Sequence, residues 1–126
     1  KELALAANDV KAAGYEIVAI TPDRPAEVAK TVGKEGLPYR ILSDPSGEAM
    51  RRFGVAFRMD DGTYGTYKSK YGLDIEVRAG ATHRLLPVPS VFAIDRSGTI
   101  RFVHSDPDYT KRLSAADLLT ALRKLP

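Results

Sequence analysis

The two histidines, His83 and His104, are the side chains of this sequence best suited to proton transfer or metal binding near neutral pH. His104 stands with Asp106 and Asp108 in the spacing H-x-D-x-D, a loose nitrogen and oxygen ligand set. A metal site also needs partners that orient its ligands. Asp106-Pro107 reads instead as turn chemistry in an exposed loop, so no metal is expected. His83-Arg84 reads as an exposed pair, the alternative being the rim of a site in the neighbouring proline loop. Arg58 with Asp60 and Asp61 reads as a surface ion-pair cluster. Ser43, Ser90 and Ser97 lack the strand–turn–helix setting of a nucleophilic serine. Gly33-Lys34 lacks the glycine-rich lead-in of a phosphate loop. The sequence contains no cysteine, which excludes disulfides, thiolate metal sites and thiol chemistry by these 126 residues themselves.

Composition narrows the classes further. With 44% hydrophobic and 28% charged residues, the chain falls in the globular range. Its 19 basic residues exceed its 16 acidic ones by only three. They are scattered, with short clusters at Arg51-Arg52, Lys68-Ser69-Lys70 and Lys111-Arg112, so no nucleic-acid partner is expected. No apolar run approaches the ~20 residues that span a bilayer, so no membrane partner is expected and a cytoplasmic location is.

The elements that would position any site follow from periodicity and capping. Leu3, Ala7 and Val10 recur at helical spacing, which predicts a helix over Lys1–Ala13 with Gly14 as its stop. No capping residue precedes that helix, so the sequence opens inside it. Tyr15–Thr21 predicts a strand, and its apolar run Ile17–Ile20 implies a central parallel strand covered on both faces. Pro25 opens a second helix to about Lys34, and Tyr39–Ser43 predicts a strand. Asp44-Pro45 predicts an N-cap and first position for a third helix, which ends at Gly54. Val55–Leu86 reads as a loop-rich insertion with a turn at Asp60-Asp61-Gly62. Tyr64, Tyr67 and Tyr71 would lie on one face of a short helix and form its small core. Val91–Asp95 and Thr99–His104 predict a hairpin closed by Arg96-Ser97-Gly98. Ser114 caps a last helix whose leucines 118, 119, 122 and 125 face the sheet. The reading is an α/β fold in a single domain.

The hairpin Pro89-Ser90-Val91-Phe92-Ala93-Ile94-Asp95-Arg96-Ser97-Gly98-Thr99-Ile100-Arg101 resembles the closing half of the thioredoxin fold. Upstream, Ile17-Val18-Ala19-Ile20-Thr21-Pro22-Asp23 looks like that fold's second core strand and turn. Leu42-Ser43-Asp44-Pro45 through Phe53-Gly54-Val55 is similar to the next stretch of the alkyl hydroperoxide reductase/thiol-specific antioxidant group, the peroxiredoxin-like proteins. The resemblance implies a thioredoxin-like fold, a mixed sheet flanked by helices, over residues 1–126. The family's first strand and the start of its first helix would be missing.

It also implies function. In that family the reactive cysteine sits at the start of the first helix, where the helix N-terminus and nearby cations favour the thiolate. Lys1 already lies within that helix, so the resemblance places the cysteine upstream of Lys1 and no catalytic residue in this chain. Pro89 takes the place of the arginine found in many peroxiredoxins, as in thioredoxin-like reductases. The resemblance implies a cis Val88–Pro89 bond, with Val88, Pro89 and Ser90 binding an extended substrate. The function implied is peroxide or protein-disulfide reduction supported by a thiol reductant such as thioredoxin, without a bound cofactor and with a homodimer as one assembly. The alternative is a cysteine-free thioredoxin-like interaction module without redox turnover.

Overall fold

A computed structural model describes residues 2–108 and 110–125. In chain order the elements are α1 (Glu2–Ala12), β1 (Val18–Thr21), α2 (Pro25–Glu35), β2 (Arg40–Ser43), α3 (Glu48–Arg52) and β3 (Ala56–Arg58). They continue with α4 (Asp61–Tyr71), α5 (Ile75–Ala79), β4 (Leu85–Pro87), β5 (Ser90–Ile94), β6 (Ile100–Ser105) and α6 (Ala115–Lys124). The strands pair as β1–β2, β3–β4 and β5–β6. Among the described residues no helix is long and apolar enough to cross a membrane. The fold class is α/β, as expected from the alternation of helices and strands. The chain divides into two compact units: one comprises the residues up to Val18, Leu37–Arg40 and those from Val88 onward, the other Ala19–Gly36 and Ile41–Pro87.

The first unit is organised by apolar periodicity. Val10 of α1, Ala93 of β5 and Leu118 and Leu122 of α6 form its buried core, with Tyr15, Ile17, Phe102 and Leu125 packed against them. Burying a leucine side chain fully stabilises a fold by about 1.5–3 kcal/mol, so Leu118 and Leu122, at 5% and 4% exposure, dominate this core. Ser114 Oγ accepts from the Asp117 N–H at 3.1 Å, the expected N-cap of α6. The β5–β6 hairpin is antiparallel, with Ser90 opposite Ser105 and Ala93 opposite Phe102. Its turn is closed by Asp95, whose Oδ1 accepts from the N–H groups of Ser97 (2.9 Å) and Thr99 (3.0 Å) and whose Oδ2 accepts from Arg101 Nε (2.7 Å). The Ser97 hydroxyl, followed by Arg101 and the Thr99 amide, holds the Asp95 carboxyl far below the usual carboxylate range.

The second unit is organised by caps. The N-cap of α3 is Gly47 rather than the expected Asp44, and the helix begins at Glu48 rather than Pro45. The turn at Pro45–Gly47 lets the Asp44 carboxylate reach forward and accept from Ala49 N and Met50 N at 3.1 Å each. The loop-rich reading of Val55–Leu86 is corrected: β3 and β4 pair antiparallel, with Phe57 opposite Leu86, and two capped helices lie between them. Asp60-Asp61-Gly62 is not a free turn but the start of α4. Asp60 accepts from Thr63 N at 2.8 Å, and Gly72 closes the helix in the left-handed region at φ 64°. Asp74 and Gly80 bracket α5 in the same manner.

The tyrosines do not form a common core. Tyr64 is buried with Met59 and Ile75, whereas Tyr71 remains 64% exposed and packs on Tyr67 at 5.5 Å between ring centroids. The expectation that the Ile17–Ile20 run is covered on both faces also fails: Val18 and Ile20 remain 40% and 47% exposed. Among the described residues β1 pairs with β2 and no other strand, so burial of a second face is not imposed by the apolar run.

Candidate functional site

The expected substrate-binding segment lies in the first unit, where the β5 strand begins. No peptide bond among the described residues is cis, so Val88–Pro89 is trans and the expectation of a cis bond is corrected. The trans form is the ordinary one for X–Pro, favoured by about 0.5–1 kcal/mol, and no local contact here reverses that preference. Ser90 Oγ donates to the Val88 carbonyl at 2.7 Å and lies 2.8 Å from Ser105 Oγ across the hairpin. Val88, Pro89 and Ser90 are all half-buried. The Val88 carbonyl thus has one lone pair engaged by its own chain.

The second unit contains a cavity of about 290 Å³ that sequence reasoning did not find. Its apolar wall includes Met59, Leu73, Ile75 and Leu86, and its polar margin includes Asp23, Arg78, His83 and Arg84. Each polar group of that margin is already paired. Arg78 binds Asp23 in a forked contact, Nε to Oδ1 at 3.1 Å and Nη2 to Oδ2 at 2.7 Å, and its carbonyl accepts from Arg24 N at 2.7 Å. The Asp23 hydrogen bond raises the Arg78 pKa further, so the guanidinium is a permanent charge.

Arg84 is the centre of a second network. Its guanidinium reaches Glu76 Oε2 at 2.9 Å and Asp61 Oδ1 at 2.6 Å, and lies 3.8 Å from the centroid of the Tyr64 ring. Its backbone sits at φ 55°, a conformation that L side chains rarely adopt. Tyr64 donates its phenolic hydrogen to Asp74 Oδ1 at 2.7 Å, which pushes the Tyr64 pKa up to about 12. The same bond, with the Val77 and Glu76 amides and Lys68, lowers the Asp74 pKa. The phenol therefore holds its proton, which is committed to Asp74.

His83 is half-buried on this margin rather than part of an exposed pair with Arg84. Its Nδ1 accepts from Leu85 N at 2.9 Å, which places the ring hydrogen on Nε2, 2.6 Å from the Pro45 carbonyl. Arg58 pairs with Asp61 at 3.2 Å, as expected of a surface cluster, while Asp60 is occupied in capping α4. His104, Asp106 and Asp108 do not converge. His104 Nε2 lies 3.3 Å from the Lys111 carbonyl, and the two aspartates accept from the amides of Asp108 and Thr110 in local turns. Among the described residues no group of three or more metal-binding side chains is arranged around a common point. None of the side chains described in this cavity is an activated nucleophile.

Comparison with known proteins follows the order of these elements. The model of the AhpC/TSA family matches residues 1–103, from α1 through the Val88–Ser90 segment and into β6. Two proteins of Mycobacterium tuberculosis, named "Putative peroxiredoxin Rv2521" (strain ATCC 25618 / H37Rv) and "Putative peroxiredoxin MT2597" (strain CDC 1551 / Oshkosh), are each 30% identical over 93 residues. The alignments take in 74% of this chain and 48% of each relative, so the chain spans about half the length of the curated relatives it matches. With most of its length matched by that family, the chain belongs to the AhpC/TSA family, the peroxiredoxin-like branch of the thioredoxin fold.

Proposed function

We propose that the chain is the scaffold of a thiol-dependent oxidoreductase that reduces peroxides or protein disulfides, with its reactive cysteine in a segment N-terminal to residue 1. The observation that carries this reading is the AhpC/TSA match over residues 1–103 of a sequence that has no cysteine. A family whose chemistry needs a thiolate at the start of its first helix must draw it from elsewhere. The Val88–Pro89–Ser90 segment supports substrate binding through the Val88 carbonyl, with Ser90 holding that carbonyl in place. The oxidised cysteine would be restored by an external thiol such as a reduced thioredoxin, in a cytoplasmic compartment where thiols stay reduced. A homodimer is the assembly in which we place it.

The test is the protein translated from the whole gene. Alkylation of its free thiols followed by peptide mapping should locate a cysteine within about one helix length upstream of residue 1, roughly ten residues. Replacing that cysteine by serine should abolish thiol-dependent peroxide and disulfide reduction together. A full-length protein with no cysteine there would overturn the proposal and leave a thioredoxin-like binding module in its place.

A further inference from the structure

We propose that Met59 is a peroxide-sensitive modification site. The chain has two methionines, and both are buried: Met50 at 5% exposure and Met59 at 8%. Their surroundings differ. Met59 lines the 290 Å³ cavity of the second unit, a space wide enough for a molecule the size of hydrogen peroxide. Met50 does not line it. It packs beneath Gly47 at the start of α3, where a β-carbon added to Gly47 would come within 3.6 Å of its sulfur.

A thioether needs no deprotonation to react, so it stays reactive in a site with no activated acid or base. Its sulfur lone pair attacks one peroxide oxygen, the O–O bond breaks, and an S–O bond forms. The departing hydroxide takes the remaining proton as water. Sulfur loses two electrons and the peroxide gains them, giving methionine sulfoxide and one water, a change that sulfoxide reductases reverse.

The product has a structural consequence. Met59 shares its cluster with Tyr64 and Ile75, against Leu73 and Leu86, and that cluster sits among the caps of α4 and α5. A sulfoxide is polar where Ile75, Leu73 and Leu86 offer only carbon, so oxidation weakens this apolar packing and loosens the unit. Exposure to peroxide in the cell rests on the function proposed above, whereas the selectivity for Met59 over Met50 rests on the cavity alone.

The folded protein is exposed to hydrogen peroxide, digested at intervals and mapped for the gain of one oxygen at each methionine. Met59 should be oxidised several-fold faster than Met50, and the two rates should converge in denaturant. Equal rates in the folded protein, or a faster Met50, would overturn the proposal. In parallel, peroxide should lower the melting temperature of the native sequence and leave that of Met59→Leu unchanged. An equal fall in both would also overturn it. Thiol-dependent turnover, assayed on the full-length protein, separates the two proposals: its absence beside intact Met59 selectivity refutes the oxidoreductase function alone, and its presence without that selectivity refutes this site alone.

Discussion

The two units of this chain are held together by different physics. In the first, an aliphatic core of Val10, Ala93, Leu118 and Leu122 ties two helices to a hairpin. In the second, the apolar cluster is smaller, and carboxylates do much of the joining: Asp44 binds the first-turn amides of α3, Asp60 caps α4, and Asp74 caps α5 while binding Tyr64. Apolar burial is non-directional and insensitive to pH, whereas capping carboxylates act only when ionised and in position. Apart from its Asp95 turn, the first unit should therefore respond chiefly to changes of side-chain volume, and the second to changes of charge.

The largest effect should come from Leu122→Ala. Removing a leucine at 4% exposure costs both transfer energy and a cavity, about 2–5 kcal/mol by chemical denaturation. Asp44→Ala should follow, at about 1 kcal/mol, the size of a lost helix cap, with Asp44→Asn recovering part of it through its one remaining acceptor oxygen. A larger loss at Asp44 than at Leu122 would break the contrast between the units.

The third prediction concerns pH. Asp74 has its pKa lowered in the folded chain, chiefly by Tyr64, so its contribution is present above the ordinary carboxylate value of 3.8 and is lost as pH falls through the depressed folded value. Tyr64 is raised from 10.0 to about 12, so its contribution is complete below pH 10 and is lost as pH climbs toward 12. Phenolate absorbance, taken as the difference between the native sequence and Tyr64→Phe, should place that midpoint near 12, and Asp74→Asn should move it back toward 10.0. A midpoint that does not move with Asp74 would show that the Tyr64–Asp74 bond does not control this region. The smallest effect should be at the exposed Glu16–Arg40 pair of the first unit, 3.3 Å apart with both side chains about 70% exposed. Its removal should change stability by no more than about 0.5 kcal/mol.

The same contrast explains what could be read in advance. The leucines of α6, the Ser114 cap and the hairpin from Val91 to His104 are legible because period and turn residues lie close together in sequence. Within Val55–Leu86 the spacing of Tyr64, Tyr67 and Tyr71 announces a short helix where α4 lies. The start of α4 and the whole of α5 are not legible, because Gly62 and Gly65 dilute α4 and α5 is only five residues long. Their signals were the caps themselves, Asp60 three residues before Thr63 and Asp74 paired with Gly80. The cavity was beyond reach for a different reason: it joins Asp23 to Arg78 across 55 residues, and no local pattern announces such a partnership. At Val88–Pro89 the resemblance pointed to cis geometry and the chain adopts trans.

The proposal with most at stake is that this AhpC/TSA-family chain works with a thiol outside residues 1–126. Its most direct test is thiol-dependent peroxide consumption, measured side by side on the purified 126-residue chain and on the protein translated from the whole gene. The account predicts catalytic turnover by the full-length protein and none by the shorter chain. Sustained turnover by the 126 residues alone, supported by an added thiol, would contradict it.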